Sequence, residues 1–123
     1  MCKLENEPLA IQFIEVKSQD RIVCLNISKT YKSKEREDFY DCARHYWRLN
    51  VERAEKANLV FAIVDGIVVD VFQPIRWYKS KHPKYTSRYE FEGVEEEDSA
   101  YLGRCVWNLI NPKSQNPVSY INL

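Results

Sequence analysis

The chain has 123 residues and a mass of 14.6 kDa, a size that suits one domain and leaves little room for two separate cores. Its 45% hydrophobic residues, together with only 3 Gly and 5 Pro, exclude a wholly disordered or collagen-like chain. Because 18 basic residues balance 18 acidic ones, bulk positive charge cannot drive nucleic-acid binding, and any such site must be a local patch.

The sequence shows no signal for export, membrane insertion or metal binding. Its first residues lack the apolar centre of a signal peptide, and no stretch reaches the length of a membrane span. The four cysteines lie far apart, form no CxxC pair and have no histidine at zinc-finger spacing. We therefore expect a cytoplasmic protein with reduced thiols, no metal and no membrane contact.

The first half of the chain predicts two strands followed by two helices. Residues 11–16 and 21–27 are β-rich and are separated by a polar connection. Apolar residues then recur at spacings of three and four over residues 35–45, which indicates a helix with one apolar face. A second, short helix is predicted over residues 51–57, with Asn50 as its N-terminal cap.

The clearest local signal is a β-hairpin over residues 59–72. Two β-branched runs flank Asp65 and Gly66, which tolerate the positive φ angles of a type I′ turn. The near-continuous apolar run before the turn predicts a strand that is buried on both faces. Pro74 has no amide hydrogen, so the second strand must bulge or reach an edge there.

The second half adds a basic loop and several short elements. Residues 79–87, the basic loop, contain Lys79, Lys81 and Lys84 without an acidic residue, which predicts an exposed segment. The remaining predicted elements are a strand over residues 89–92 that ends at Gly93, a short helix over residues 95–102, and strands over residues 106–109 and 118–121.

Together these elements predict a single domain over residues 1–123 with a β-dominated α+β fold. It would contain about six or seven short strands with inserted short helices, arranged as a small barrel. Regular strand–helix alternation, the GxGxxG pattern and the P-loop are all absent from the sequence, so we expect no nucleotide cofactor.

The hairpin and its flanks resemble a known superfamily. A short helix, a buried strand, a tight turn and a return strand over residues 54–72 resemble a recurring unit of PUA-like domains, which include the ASCH, EVE and YTH domains. With Tyr46-Trp47-Arg48 before this unit and Arg76-Trp77-Tyr78 after it, the chain is similar to an uncharacterised bacterial group. The resemblance implies a PUA-like pseudo-barrel that binds RNA or modified bases in a groove between barrel and helices.

Aromatic and basic residues stand side by side on both flanks of the hairpin. A base can stack on an indole for roughly 1 to 3 kcal/mol, and a neighbouring Arg can hold a phosphate. We therefore predict single-stranded RNA, or an exposed or modified base of RNA or DNA, as the ligand. The expected stacking residues are Trp47, Trp77 and Tyr78, and the expected phosphate contacts are Arg48, Arg76, Lys79, Lys81 and Lys84. The same aromatic residues would equally suit an ordinary core.

Two other function classes stay open. A small ASCH-like hydrolase or nuclease is one; Cys42 and His45 lie within one helical turn, but the predicted apolar face would bury the thiol. The other is a protein-interaction module of a bacterial restriction or phage-defence system, using a strand edge or the acidic residues 95–98. The sequence assigns no catalytic residue.

Overall fold

The computed structural model describes residues 12–33 and 38–123, and these residues form one mixed five-stranded sheet with three short helices. Within those ranges, no helix has the length and apolar character needed to cross a membrane. The elements in chain order are β1 (Ile22–Asn26), α1 (Ser28–Ser33), α2 (Phe39–Ala43), α3 (Val51–Ala54), β2 (Leu59–Val64), β3 (Ile67–Lys79), β4 (Tyr89–Glu95) and β5 (Val118–Ile121).

The sheet has the strand order β4-β3-β2-β1-β5. Strands β1 and β2 are parallel, and the connection between them carries all three helices, because parallel neighbours need a crossover. The other three strand pairs are antiparallel. The β-dominated α+β prediction is confirmed, but the sheet is open with β4 and β5 at opposite edges, so the predicted barrel is not closed.

Two separate apolar clusters explain why β2 is buried on both faces without barrel closure. On one face, Val60 and Ala62 pack with Phe72 and with Cys42 and Ala54 from the helices. On the other face, alternate residues of the same strands pack against irregular segments; this cluster includes Leu59, Phe61, Ile63, Val71, Ile14 and Val106. Burial of β2, which the apolar run predicted, is therefore achieved by covering each face separately.

The hairpin has the predicted turn and the predicted bulge. Asp65 and Gly66 have φ angles of 50° and 82°, as a type I′ turn requires. Strand pairing between β3 and β4 shifts between Pro74 and Arg76, so the bulge occurs where proline cannot donate. A β-carbon on Gly93, the residue opposite Pro74, would lie 2.9 Å from the Gln73 carbonyl oxygen. Gly93 therefore accommodates the bulge, and β4 continues to Glu95 instead of ending there.

Several other predicted elements differ from the structure. In the described part of residues 11–16 there is a single bridge, from Phe13 to Cys105, instead of a strand. The first predicted helix is observed as α2, although residues 34–37 lie outside the described ranges, and the second ends at Ala54. Glu95 belongs to β4, and residues 96–102 and 106–109 form turns and irregular backbone instead of a helix and a strand, while the strand over residues 118–121 is confirmed as β5.

Candidate functional site

An open cavity of about 790 Å³ lies between α1, the segment after α2 and the basic loop. Among the described residues its lining contains three Lys or Arg side chains and no Asp or Glu, so we call it the basic cavity. A volume of this size holds an ordinary small-molecule ligand. Its lining residues are Asn26, Lys29, Thr30, Ser33, Cys42, His45, Tyr46, Trp47, Arg48, Tyr85, Arg88, Asn116 and Pro117.

Two residues, His45 and Tyr46, form an arch along the outer edge of β4. The amide of Phe91 donates to the carbonyl of Arg44 at 3.1 Å, and Trp47 and Tyr89 exchange two backbone hydrogen bonds of 2.9 and 2.8 Å. These contacts fix the chain on either side of the arch. Tyr46 itself has a φ angle of 68°, a conformation that costs a bulky residue roughly 1 to 3 kcal/mol.

Three aromatic rings stack at the wall of the basic cavity. The rings of His45 and Tyr46 have centroids 4.5 Å apart and an interplanar angle of 22°. Tyr85 of the basic loop stacks on Tyr46 at the same centroid distance and an angle of 26°. The guanidinium of Arg88 lies 4.9 Å from the centre of the Tyr85 ring. The stack therefore ends in a cation at the cavity.

The basic loop is closed by its own hydrogen bonds. Ser80 donates its amide to the carbonyl of Arg88 at 2.8 Å, and Tyr85 donates to the carbonyl of His82 at 2.9 Å. The ring of His82 also contacts the edge of Tyr46, at a centroid distance of 5.5 Å. The loop thus presents an aromatic surface to the arch while Lys81 and Lys84 are exposed to solvent.

A buried carboxylate lies beneath the arch. Glu90 is 7% exposed, and its Oε1 lies 2.9 Å from Nδ1 of His45 and 3.2 Å from the hydroxyl of Tyr78. Burial alone would raise the pKa of Glu90, but hydrogen bonds from Ser80, His45 and Tyr78 and the nearby His45 charge hold its pKa below the ordinary value. A carboxylate only accepts hydrogen bonds, so Nδ1 of His45 carries the proton in this contact.

The structure buries both indoles that the sequence predicted to stack on a base. Trp47 and Trp77 are each 8% exposed and belong to the cluster that contains Phe91. The indole nitrogen of Trp47 donates to the carbonyl of Ala43, whereas that of Trp77 has no hydrogen-bond partner among the described residues. Burial leaves little indole surface for a base, so the stacking role of both residues stays a prediction.

The other predicted residues fall into two groups. Arg48 lines the basic cavity, and Lys79, Lys81 and Lys84 are exposed at the end of β3 and on the basic loop. Arg76, by contrast, pairs with Glu92 at 2.8 Å and lies 4.6 Å from the ring centre of Tyr78. Together with Trp77, Arg76 lines a separate cavity of about 180 Å³. The two predicted aromatic–basic flanks therefore do not converge on one site.

Sequence reasoning did not select the residues that form the stack. Tyr46 was adjacent to the predicted Trp47-Arg48 pair, and that adjacency was the available signal. Tyr85 stood in the predicted basic loop, but nothing local shows that its ring reaches Tyr46. Arg88, which follows the loop, and Lys29 of α1 complete the cavity's cations. The site depends on contacts between distant segments.

The described residues offer little support for metal or thiol chemistry. No group of three or more His, Cys, Asp or Glu side chains that could hold a metal ion occurs within residues 12–33 and 38–123. The side chains of Cys24, Cys42 and Cys105 are all buried. Cys42 lines the basic cavity but is 2% exposed, which is poor access for a nucleophile.

Comparison with protein-family models, curated proteins and solved structures found no match to this chain. The PUA-like resemblance therefore stays a prediction from the residues of the hairpin and its aromatic–basic flanks.

Proposed function

We propose that the basic cavity binds single-stranded nucleic acid, with an unpaired base at the aromatic stack and phosphates at the surrounding cations. The observation that carries this proposal is the pair of stacked tyrosine rings, Tyr46 and Tyr85, at the wall of a cavity whose charged lining residues are basic. Single-strand binding sites combine these two features, a π surface and a cationic path.

The base-binding role falls to the stack because its rings are less buried than the indoles. Tyr46 and Tyr85 are both partly exposed, whereas Trp47 is in the core. A base added to an aromatic side chain contributes roughly 1 to 3 kcal/mol and needs no particular sequence. In the stack of three rings Tyr46 lies between His45 and Tyr85, so the outermost ring, Tyr85, offers the face for the base.

The phosphate contacts come from two groups of cations. Lys29, Arg48 and Arg88 line the cavity itself, and Lys79, Lys81 and Lys84 extend the positive surface along the basic loop. Arg76 would contribute least, because Glu92 already neutralises it. A local cluster of this kind permits phosphate binding by a chain of zero net formal charge.

A second large cavity among the described residues has a different charge pattern. It has a volume of about 950 Å³, and its lining mixes the acids Glu15, Asp20 and Glu96 with the bases Lys17 and Arg104. Carboxylates in the lining would repel a phosphate backbone. The basic cavity is therefore the better candidate for a polyanion.

The PUA-like resemblance of residues 54–72 agrees with this ligand class, because that superfamily includes readers of RNA and of modified bases. We extend the proposal to an exposed or modified base on that ground. An ASCH-like hydrolase or nuclease and a protein-interaction module stay predictions; release of product from an oligonucleotide would favour the first, and specific co-purification of a protein without nucleic acid would favour the second.

The proposal is tested by fluorescence-anisotropy titration of labelled single- and double-stranded RNA and DNA at about 50 and 200 mM salt, conditions that expose phosphate contacts. The wild-type protein should prefer single strands, and Tyr85→Ala should weaken binding roughly tenfold. Tyr120→Ala is the matched control, because the Tyr120 ring also lies beneath an arginine, Arg53 at 4.0 Å, but lies outside the cavity lining. Absence of binding to every probe, or equal weakening by both variants, would contradict the proposal.

A further inference from the structure

Tyr46 is the bulky exception among the described residues with positive φ. Besides the glycines, the residues with positive φ are Tyr46, Asp65 and Asn122. Asp and Asn adopt positive φ readily because their short side chains form hydrogen bonds to nearby backbone groups. A tyrosine with positive φ is destabilised by steric contact of its β-carbon. Conformations of this kind persist where the surroundings enforce them, and they concentrate at functional sites.

The surroundings of Tyr46 enforce its conformation from two directions. Backbone hydrogen bonds from β4 fix Arg44 and Trp47 on either side of the arch. The ring of His45 then lies nearly parallel to that of Tyr46, at 4.5 Å and 22°. A contact that fixes the orientation of the His45 ring therefore also restricts the orientation of the Tyr46 ring stacked on it.

Glu90 fixes that imidazole plane. Its carboxylate lies 2.9 Å from Nδ1 of His45, and both side chains are 10% exposed. The carboxylate is itself held by the hydroxyl of Tyr78 at 3.2 Å and by Ser80. On the opposite side of the imidazole, Nε2 lies 3.6 Å from Oδ1 of Asp41. Nδ1 is thus held by a hydrogen bond to Glu90, whereas the Nε2 contact with Asp41 is longer than a hydrogen bond.

We propose that Glu90 is a positioning residue of the ligand site: through His45 and Tyr46 it sets the plane of the Tyr85 ring on which the base stacks. This inference rests on the proposed function, and it assigns to a carboxylate a role in binding a polyanion that its charge would not suggest. Glu90 acts without touching the ligand, because it lies beneath the arch and does not line the basic cavity.

Three observations on Glu90 variants distinguish a positioning role from an effect of the Glu90 charge: the affinity for single strands, the salt dependence of that affinity, and its recovery in Glu90→Gln. Glu90→Ala should weaken single-strand binding about tenfold while leaving the slope of affinity against salt unchanged, because no phosphate contact is lost. Glu90→Gln retains an acceptor for His45 and should restore most of the affinity. Glu96→Ala is the control, since Glu96 is a carboxylate directly after the same strand that accepts a hydrogen bond from Gln73, away from the arch and from the proposed phosphate contacts.

A second measurement reports on the arch without any ligand. In the wild-type protein, NMR should show cross-relaxation between the ring protons of His45 and Tyr46. Glu90→Ala should weaken this signal, and Glu90→Gln should keep it. Thermal unfolding of each variant shows whether it is folded. If Glu90→Ala is unfolded, the single-strand affinities of Glu90→Gln and His45→Ala are compared instead.

The outcomes are distinguishable. Weaker binding and a weaker ring signal in Glu90→Ala, both rescued by Gln, support the positioning role. Wild-type affinity in folded Glu90→Ala overturns that role and leaves nucleic-acid binding intact. Equal affinity loss in Glu90→Ala and Glu90→Gln, with the ring signal unchanged, also overturns it. If the wild-type protein binds no probe, the proposed function fails and this inference fails with it.

Discussion

Tyr46 and Tyr85 come from distant parts of the chain, yet their rings stack with centroids 4.5 Å apart. One ring belongs to an arch fixed along the edge of β4, and the other belongs to the basic loop that follows β3. This contact brings the aromatic and the basic features of the sequence together at one cavity. It is the structural basis of the proposed nucleic-acid site, and the surrounding fold can be tested independently of it.

Two glycines with nearly the same positive φ angle should respond differently to substitution. Gly66 and Gly103 have φ angles of 82° and 81°. A β-carbon at Gly66 would lie 2.5 Å from the Trp107 ring, whereas one at Gly103 would meet nothing within 4 Å. We expect Gly103→Ala to cost about 1 kcal/mol of unfolding free energy and Gly66→Ala to cost at least about 1 kcal/mol more.

Chemical denaturation of both variants measures the difference. Both variants place an alanine at positive φ, so this cost cancels in the comparison. The remaining difference in unfolding free energy reports the contact with Trp107. Equal destabilisation of Gly66→Ala and Gly103→Ala would show that the Trp107 ring moves aside without cost.

The two buried indoles form a second matched pair. Trp47 donates its indole hydrogen to the carbonyl of Ala43, and the nitrogen of Trp77 has no partner among the described residues. Trp47→Phe should therefore lower the unfolding free energy by about 1 kcal/mol more than Trp77→Phe, because it leaves a buried carbonyl unpaired. Equilibrium unfolding in urea gives both values. A larger loss from Trp77→Phe would indicate that its indole nitrogen is hydrogen-bonded in solution.

Asp70 makes stability depend on pH near neutrality. Burial first, and then a hydrogen bond and repulsion from Glu95, raise its pKa from 3.8 to about 7. The folded state therefore binds a proton more tightly than the unfolded state does. The sign follows: this contribution is fully present below about pH 4 and is lost as the pH rises through 7.

The measurement is the difference between Asp70→Asn and wild type in thermal unfolding at pH 5 and at pH 8. Asparagine stays neutral at both pH values. The unfolding free energy of Asp70→Asn relative to wild type should therefore be about 1 to 3 kcal/mol higher at pH 8 than at pH 5. Taking the difference between proteins removes the contribution of the histidines. A difference that is the same at both pH values would contradict the assigned protonation of Asp70.

The local features of the fold could be predicted from the sequence. The type I′ turn needs two residues that tolerate positive φ, and Asp65 and Gly66 supply them. The bulge follows from the missing amide hydrogen of Pro74. Both are properties of a few neighbouring residues, so no distant contact is needed to infer them.

The missed elements depend on distant contacts. Residues 106–109 look like a strand, but Val106 instead packs beneath the sheet while its amide bonds the carbonyl of Gly66 at the hairpin turn. The pattern of short strands with inserted helices predicted a barrel, but burial of β2 on both faces is equally achieved by two separate covering layers. The tyrosine stack was missed for the same reason, because no local pattern reports a contact between an edge arch and a loop.

The cations of the basic cavity should contribute to binding by contacting phosphates of the ligand. Arg88→Ala is expected to lower the slope of log affinity against log salt by about one, because one phosphate contact is lost. Arg53→Ala should leave the slope unchanged, since Arg53 also lies over a tyrosine but outside the basic cavity. Anisotropy titrations between about 50 and 200 mM salt provide both slopes. An unchanged slope in Arg88→Ala would remove this residue from the phosphate path.

The most direct test of the central claim is to locate the ligand by amide chemical-shift mapping with a short single-stranded oligonucleotide. We predict that shifts concentrate at Lys29, Tyr46, Tyr85 and Arg88, with saturation at stoichiometric ligand. Arg53 and Tyr120, the second arginine–tyrosine pair, should not move. Shifts centred on the mixed-charge cavity around Asp20 and Arg104, or no shifts at all, would contradict the assignment of the basic cavity as the nucleic-acid site.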